Sequence, residues 1–157
     1  MPHYIRMEQP GGCYFFTIVT YRQRCFLTDE LARHFLHEAI IKIRQNHSFE
    51  IDAWVLLPDY LHCIWTLLEG DDDYSICWNV IKILFTRRAI PHYHNIEWMN
   101  ASKIKHCKST LWQRRFWGRI IYDDRDYTNH VDYIHYNPIK RGWAEHPRDW
   151  SYSTYHC

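Results

Sequence analysis

The sequence lacks the features that would place it outside the ordinary globular class. There is no CxxC pair and no framework spacing among Cys13, Cys25, Cys63, Cys77, Cys107 and Cys157, which argues against a disulfide scaffold or a zinc ribbon and predicts reduced thiols in a cytoplasmic protein. The N-terminal residues Met1 to Arg6 lead into no apolar segment, and no apolar run approaches membrane-spanning length. Neither a signal peptide nor a membrane span is expected. Internal repeats and low-complexity tracts are missing as well, which speaks against a solenoid or a linker. Charge of one sign is also lacking, because 19 Lys+Arg against 18 Asp+Glu leave a net +1, a poor global argument for a polyanion partner.

What is present is more specific. A length of 157 residues fits one domain, spanning 1–157, with enough chain to bury a core without staples. Aromatic residues reach 17%, a content that suits both core packing and stacking on nucleic-acid bases. The charge is also unevenly distributed. Between Lys82 and Arg119 lie nine basic residues and a single acid, Glu97, interleaved with Trp98, Trp112, Phe116 and Trp117. Such a stretch is either a solvated face or a surface for a polyanion with stacking bases.

Periodicity gives the element order. Residues Cys13 to Thr20 are aromatic and β-branched and read as a first strand after Gly11-Gly12. Thr28 followed by Asp29 and Glu30 reads as a helix start, with Leu31, Phe35, Ala39 and Ile43 at helical spacing to about residue 45. Phe49 to Leu57 alternate as a second strand, the Pro58-Asp59 corner follows, and Tyr60 to Leu68 form a third. A polar turn at Glu69 to Asp73 precedes a helix with Ser75 as cap and Trp78, Ile81 and Phe85 on one stripe, ended by Pro91. Residues 91 to 110 read as a mobile loop, Gly118 to Tyr122 as a fourth strand, and a helix from about Asp124 carries Tyr127, Val131 and Ile134 before Pro138 terminates or kinks it. On that helix Tyr133 and Asn137 share a face predicted to lie away from the core stripe. The order βαββαβ followed by a helix predicts an α+β fold, a ferredoxin-like sandwich with an antiparallel sheet. The terminal Trp150 to Tyr155 is expected to pack on that sheet.

The third strand places Tyr60, His62 and Ile64 on one face and Leu61, Cys63 and Trp65 on the other. His62 is then either a hydrogen-bonded core histidine or a ligand. A histidine on a central strand, a tyrosine on a late helix and an amide one turn on make a hydroxyl-nucleophile site. Phosphoryl transfer through a phenol needs an in-line phosphate and a cation to offset developing charge. Taken alone, Tyr133, one of 12 tyrosines, reads as a surface or packing residue.

The segments "GGCYFFTIVTYRQR", "AWVLLPDYLHCIWTLLEGDDDYS", "WQRRFWGRIIYDDRDYTNHVDYIHYNPIKRGW" and "DWSYSTYH" together resemble the REP-associated tyrosine transposases, a branch of the Y1 transposases with a His-hydrophobe-His motif. The resemblance runs from about Tyr4 to His156. It implies a ferredoxin-like fold, cleavage and rejoining of single-stranded or hairpin repeat DNA, a 5′-phosphotyrosine intermediate, and Mg²⁺ or Mn²⁺ as cofactor. On the matching positions it implies Tyr133 as nucleophile, with His62 and Asn137 as metal ligands. The first histidine of the motif falls on Tyr60. Phenol is a poor ligand for a hard divalent ion unless ionised, so the metal site is read as impaired. The literal His92-Tyr93-His94 lacks strand context, and His130 and His135 flank Tyr133.

DNA contacts are assigned to Arg87, Arg88, Arg114, Arg115, Arg119, Lys140 and Arg141 for phosphate or base edges, with Trp117 or Phe116 stacking an unpaired base. Three readings follow. The first is a tyrosine transposase. The second is a sequence-specific hairpin-DNA-binding protein whose cleavage is lost with the first histidine, and the third a structural or RNA-binding module on the same fold. Monomer and homodimer are equally open.

Overall fold

A computed structural model describes residues 12–68, 73–105 and 110–156. Four strands, β1 Cys13–Val19, β2 Phe49–Leu56, β3 Tyr60–Leu67 and β4 Trp117–Ile120, form one sheet in the order β2-β3-β1-β4. Every neighbouring pair is antiparallel. The helices are α1 Glu30–Arg44, α2 Tyr74–Tyr93, the short α3 Ala101–Lys105 and α4 Asp124–Lys140. The split βαβ arrangement expected from the element order is the one observed.

The sheet separates two cores, and strand alternation decides which side chain joins which. Tyr14, Phe16, Ile18, Leu61, Cys63 and Trp65 face α1 and α2. Phe49, Trp65 and Trp78 stack in succession there, with ring centroids 3.9 and 4.5 Å apart. Ala53, Val55, Tyr60 and Ile64 face the opposite side and pack with Ile134 of α4. The sheet is thus covered by helices on both faces, and the face under α4 is the one bearing His62.

Several expectations need correction. Leu31 is exposed, and the buried face of α1 is Ala32, Phe35, Leu36, Ala39, Ile40 and Ile43. The cap position of α1 is Asp29, and that of α2 is Asp73. Pro91 does not end α2. The helix continues to Tyr93, because Ala89 is buried and Tyr93 stacks on Phe26 at 4.8 Å, and packing of that last turn outweighs the amide that proline cannot donate. The stretch read as a loop from 91 to 110 holds this helix end, a 3-10 turn at Ile96–Trp98 and α3. Asn95 N–H donates to Thr110 Oγ1 at 2.8 Å and ties the segment back. Pro138 likewise lies inside the last turn of α4, two residues before its end at Lys140. The fourth strand starts one residue earlier than expected and stops at Ile120. The expected acidic turn at 69–72, together with Gly11, Cys107 and Cys157, lies outside the described residues.

The C-terminal segment lies along β2 as expected. Ser153 bridges Val55, and Leu56 N–H donates to Tyr152 O at 2.8 Å. Trp150 Nε1 donates to Leu56 O at 2.9 Å. Among the described residues the free cysteines are Cys13, Cys25, Cys63 and Cys77, and no helix is long and apolar enough to cross a membrane.

Candidate active site

The antiparallel register builds the floor of the site. Thr17 on β1 pairs with His62 on β3, Val19 with Tyr60, and Phe15 with Ile64. The odd-numbered side chains of β1 and the even-numbered ones of β3 therefore rise together toward α4. Thr17 Oγ1 lies 2.8 Å from His62 Nδ1. With Nδ1–H donating to that hydroxyl, Nε2 keeps the lone pair that a ligand or base requires. Phe15 stacks beside His62 at 5.3 Å and 24°.

Helix α4 forms the roof. Its acidic first turn is held by Asp123, whose side chain accepts from Asp126 N–H at 2.8 Å. Tyr133 sits above the floor with its ring centroid 5.3 Å from that of His62 and 6.1 Å from that of Phe15. Its side chain is 41% exposed, whereas Asn137 is 1% exposed. The expectation that both lie on a face away from the core is therefore corrected. Four residues advance the helix about 40° past a full turn, enough to carry Asn137 under the helix beside Ile134 and Pro138 while Tyr133 stays at the rim.

Asn137 is where the site departs from a metal centre. Tyr60 Oη donates to Asn137 Oδ1 at 2.5 Å within the buried wall. Burial pushes the Tyr60 phenol above its usual range, although the Arg141 guanidinium acts the other way. The neutral phenol is therefore a donor here and not an anionic ligand. Burial, reinforced by the positive charge of Arg141, pushes His62 down to about 4, so the imidazole is uncharged at neutral pH. Two cations close the site. Lys140 Nζ lies 5.3 Å from the centre of the Tyr133 ring, and the Arg141 guanidinium 5.1 Å from that of Tyr60.

Over 157 residues the chain is 42% identical to the REP-associated tyrosine transposase of Escherichia coli, covering 99% of this chain and 84% of that protein. The chain belongs to the REP-associated tyrosine transposase family. A relative from Haemophilus influenzae carrying the same family name is 40% identical over 157 residues, covering 99% of this chain and 86% of that one. A solved REP-associated tyrosine transposase bound to a REP hairpin superposes with a TM-score of 0.76 at 41% identity, covering 94% of this chain and 78% of that one. A transposase structure from Deinococcus radiodurans, at 18% identity and a TM-score of 0.50, covers 78% of this chain and 87% of that one and speaks only for the fold. No protein-family profile matches the chain.

A family member of this kind calls for a divalent cation, and the donors here do not fit one. His62 is a single nitrogen donor, Tyr60 is a protonated phenol, and the Asn137 oxygen is already engaged by that phenol. A hard ion prefers several oxygen donors, carboxylates among them. Among the described residues no group of three or more His, Cys, Asp or Glu side chains is placed to hold a metal. Tyr60, on which the resemblance places the first histidine of the motif, donates a hydrogen bond to Asn137.

The remaining predicted residues fall into separate places. Trp117 pairs with Thr17 and Arg119 with Phe15, so both lie on the His62 face at the sheet edge. Trp117 is 59% exposed, while Arg119 reaches Asp126 at 3.5 Å. Phe116 instead packs against the other core. Arg87 and Arg114 line a groove beside α2, away from Tyr133. Arg88 is ion-paired with Glu38 and lies over Phe35. Arg115 is exposed. His92 is exposed beside Phe35 and His94 meets Thr110, so the two imidazoles of the literal His-x-His run have different neighbours. His135 contacts Thr154 Oγ1 at 3.0 Å. His130 belongs to the site wall, 4.8 Å from Phe15 and 3.2 Å from Asp126. Thr17 and Phe15 escaped the sequence reading, since only the cross-strand register reveals them.

Proposed function

We propose that this protein is a hairpin-DNA-binding member of its family in which the metal-assisted attack by Tyr133 is strongly attenuated. The observation that carries the reading is the buried hydrogen bond from Tyr60 to Asn137. Binding and cleavage draw on different groups, which is why one survives the other. Strand recognition rests on cations and aromatics, here Lys140, Arg141, Trp117, Arg119, Arg87, Arg114 and Arg115. Cleavage requires the Tyr133 oxygen to bond to phosphorus as the 3′ oxygen leaves with a proton, forming a 5′-phosphotyrosine. Losing a partner that merely supports a metal ligand costs roughly 10- to 100-fold in affinity or activity, and an imidazole ligand matters at least as much. Mg²⁺ or Mn²⁺ is the ion expected of a restored site.

The test is a covalent-adduct assay with a REP hairpin oligonucleotide carrying a single-stranded flank. Wild-type protein should shift the DNA at nanomolar to micromolar concentration with little or no adduct, and Tyr60→His with Mn²⁺ should yield an adduct that Tyr133→Phe abolishes. Fast adduct formation by the wild type would overturn the attenuation. Equal affinity for the hairpin and for random RNA would overturn DNA binding in favour of the RNA-binding module.

A further inference from the structure

The turn after β1 is built against its own backbone preference. Arg22 and Gln23 are consecutive non-glycine residues in the left-handed region, at φ 56° and 53°. That region is disfavoured for an L-residue because Cβ crowds the following carbonyl oxygen. The surroundings hold them there. Thr20 N–H donates to Asp59 O at 3.0 Å, Tyr21 N–H to Leu111 O at 3.0 Å, and Gln23 N–H to Thr20 O at 3.1 Å. The Thr20 hydroxyl, fully buried, reaches Arg24 O and Asp59 O at 2.9 and 3.0 Å.

The result is a concentration of positive charge on aromatic rings. The Arg22 and Arg24 guanidinium carbons lie 4.8 and 4.9 Å from the centre of the same indole, Trp98. Lys103 Nζ lies 4.0 Å from the centre of the Tyr21 ring. Among the described residues neither Arg22 nor Arg24 has a carboxylate partner. Two guanidinium groups held on one indole with no carboxylate salt bridge to either are unfavourable for folding alone. Arg24 Nη1 donates to Thr110 O at 3.2 Å, and stacking fixes each guanidinium while leaving its other N–H groups for an anion. Lys103 also lines the neighbouring groove of about 550 Å³, whose cations are Lys82, Arg87, Lys103 and Arg114, with no acid among the described lining residues. On its other side the turn abuts the Asp59 corner, one residue before Tyr60 and within the charge field of Arg141.

We infer that the Tyr21–Arg24 turn, Trp98 and this groove form a phosphate-binding lane that carries the sugar-phosphate backbone of the bound DNA from the Tyr133 site around the end of the sheet to α2. The inference rests on the hairpin-DNA reading above and adds a contact surface remote from Tyr133. Its selectivity is for backbone and not for base sequence, because ammonium and guanidinium groups held on ring faces meet phosphate oxygens.

Fluorescence anisotropy with a REP hairpin oligonucleotide between 50 and 200 mM salt tests it, using Arg22→Gln and Arg114→Ala, both on exposed side chains, and their combination. Each variant should bind about 3-fold more weakly or worse at the lower salt and lose roughly one from the slope of log affinity against log salt, with Tm unchanged. Unchanged affinity and slope in both variants, with the wild type binding, overturns the lane while leaving hairpin binding intact. Failure of the wild type to bind the hairpin overturns the parent reading and the lane with it. Should Arg22→Gln prove misfolded by Tm, Arg114→Ala decides alone.

Discussion

Tyr60 and Asn137, 77 residues apart in sequence, meet through a 2.5 Å hydrogen bond in the wall beneath Tyr133. Two positions that the resemblance implied as metal-binding form a self-satisfied polar pair instead. A buried amide oxygen with a phenol donor has no desolvation penalty left to relieve by binding an ion. On the reading proposed above, the pair stabilises the fold and opposes metal-assisted attack at once.

Tyr60→Phe isolates that trade. The ring volume is kept, and the Asn137 oxygen loses its donor in a position 1% exposed. The expected cost is about 1–3 kcal/mol, a fall in Tm of roughly 3–10 °C for a chain of this size. Tyr60→His should instead bind Mn²⁺, read by isothermal titration or by loss of the free-ion electron paramagnetic resonance signal, and Asn137→Ala in that background should abolish the gain. If Tyr60→Phe melts with the wild type, the bond carries no stability.

His62 gives the fold an acid dependence whose sign follows from its lowered value. The folded protein keeps the imidazole neutral down to about pH 4, whereas an unfolded chain protonates near 6.5. Between those values the unfolded state binds more protons, so stability falls as pH falls. The contribution is intact above about pH 6.5, declines through the window and levels out below pH 4, by on the order of 3 kcal/mol in all. Urea denaturation of His62→Asn, which cannot titrate, should show a shallower loss between pH 7 and 4. Arg141→Ala should raise the His62 value in an NMR titration, since the guanidinium is the second cause of the shift.

Much of this was legible without coordinates, for physical reasons that also mark where legibility ended. Period-two alternation put Tyr60 and His62 on one face, and the βαββαβ order anticipated the sheet, because both follow from local pattern. The placement of Asn137 is not legible in the sequence, because helical spacing fixes which residues neighbour each other but not the rotation of the helix over the sheet. Thr17 as the partner of His62 depends on strand register, a non-local quantity. Pro91 does not end its helix, since burial of neighbours such as Ala89 in the last turn outweighs one missing amide.

Tyr133→Phe separates binding from chemistry. Tyr133 is 41% exposed, its hydroxyl holds no hydrogen bond among the described residues, and its ring remains for Lys140 to cover. The variant should melt within about 1–2 °C of the wild type and bind a REP hairpin within about 2-fold, while any residual adduct disappears. A large loss of affinity would show instead that the hydroxyl itself holds the DNA phosphate.

Arg87, Arg88 and Arg114 look alike in the sequence, yet the structure gives them different tasks. Arg88 is committed to Glu38 on α1 and to the face of Phe35, with a centroid distance of 4.7 Å, and so joins α2 to α1. Arg114 and Arg87 face the basic groove. Arg88→Ala should therefore leave hairpin affinity and its salt slope unchanged and cost under about 1 kcal/mol of stability, the range for a half-exposed pair. Arg87→Ala should do the reverse, weakening binding about 3-fold or more with Tm held and removing roughly one from the slope. Anisotropy titrations at two salt concentrations beside a thermal melt decide the matter, because a merely diffuse electrostatic attraction would make the two variants indistinguishable, whereas the lining of a defined groove makes them differ at neighbouring positions of one helix.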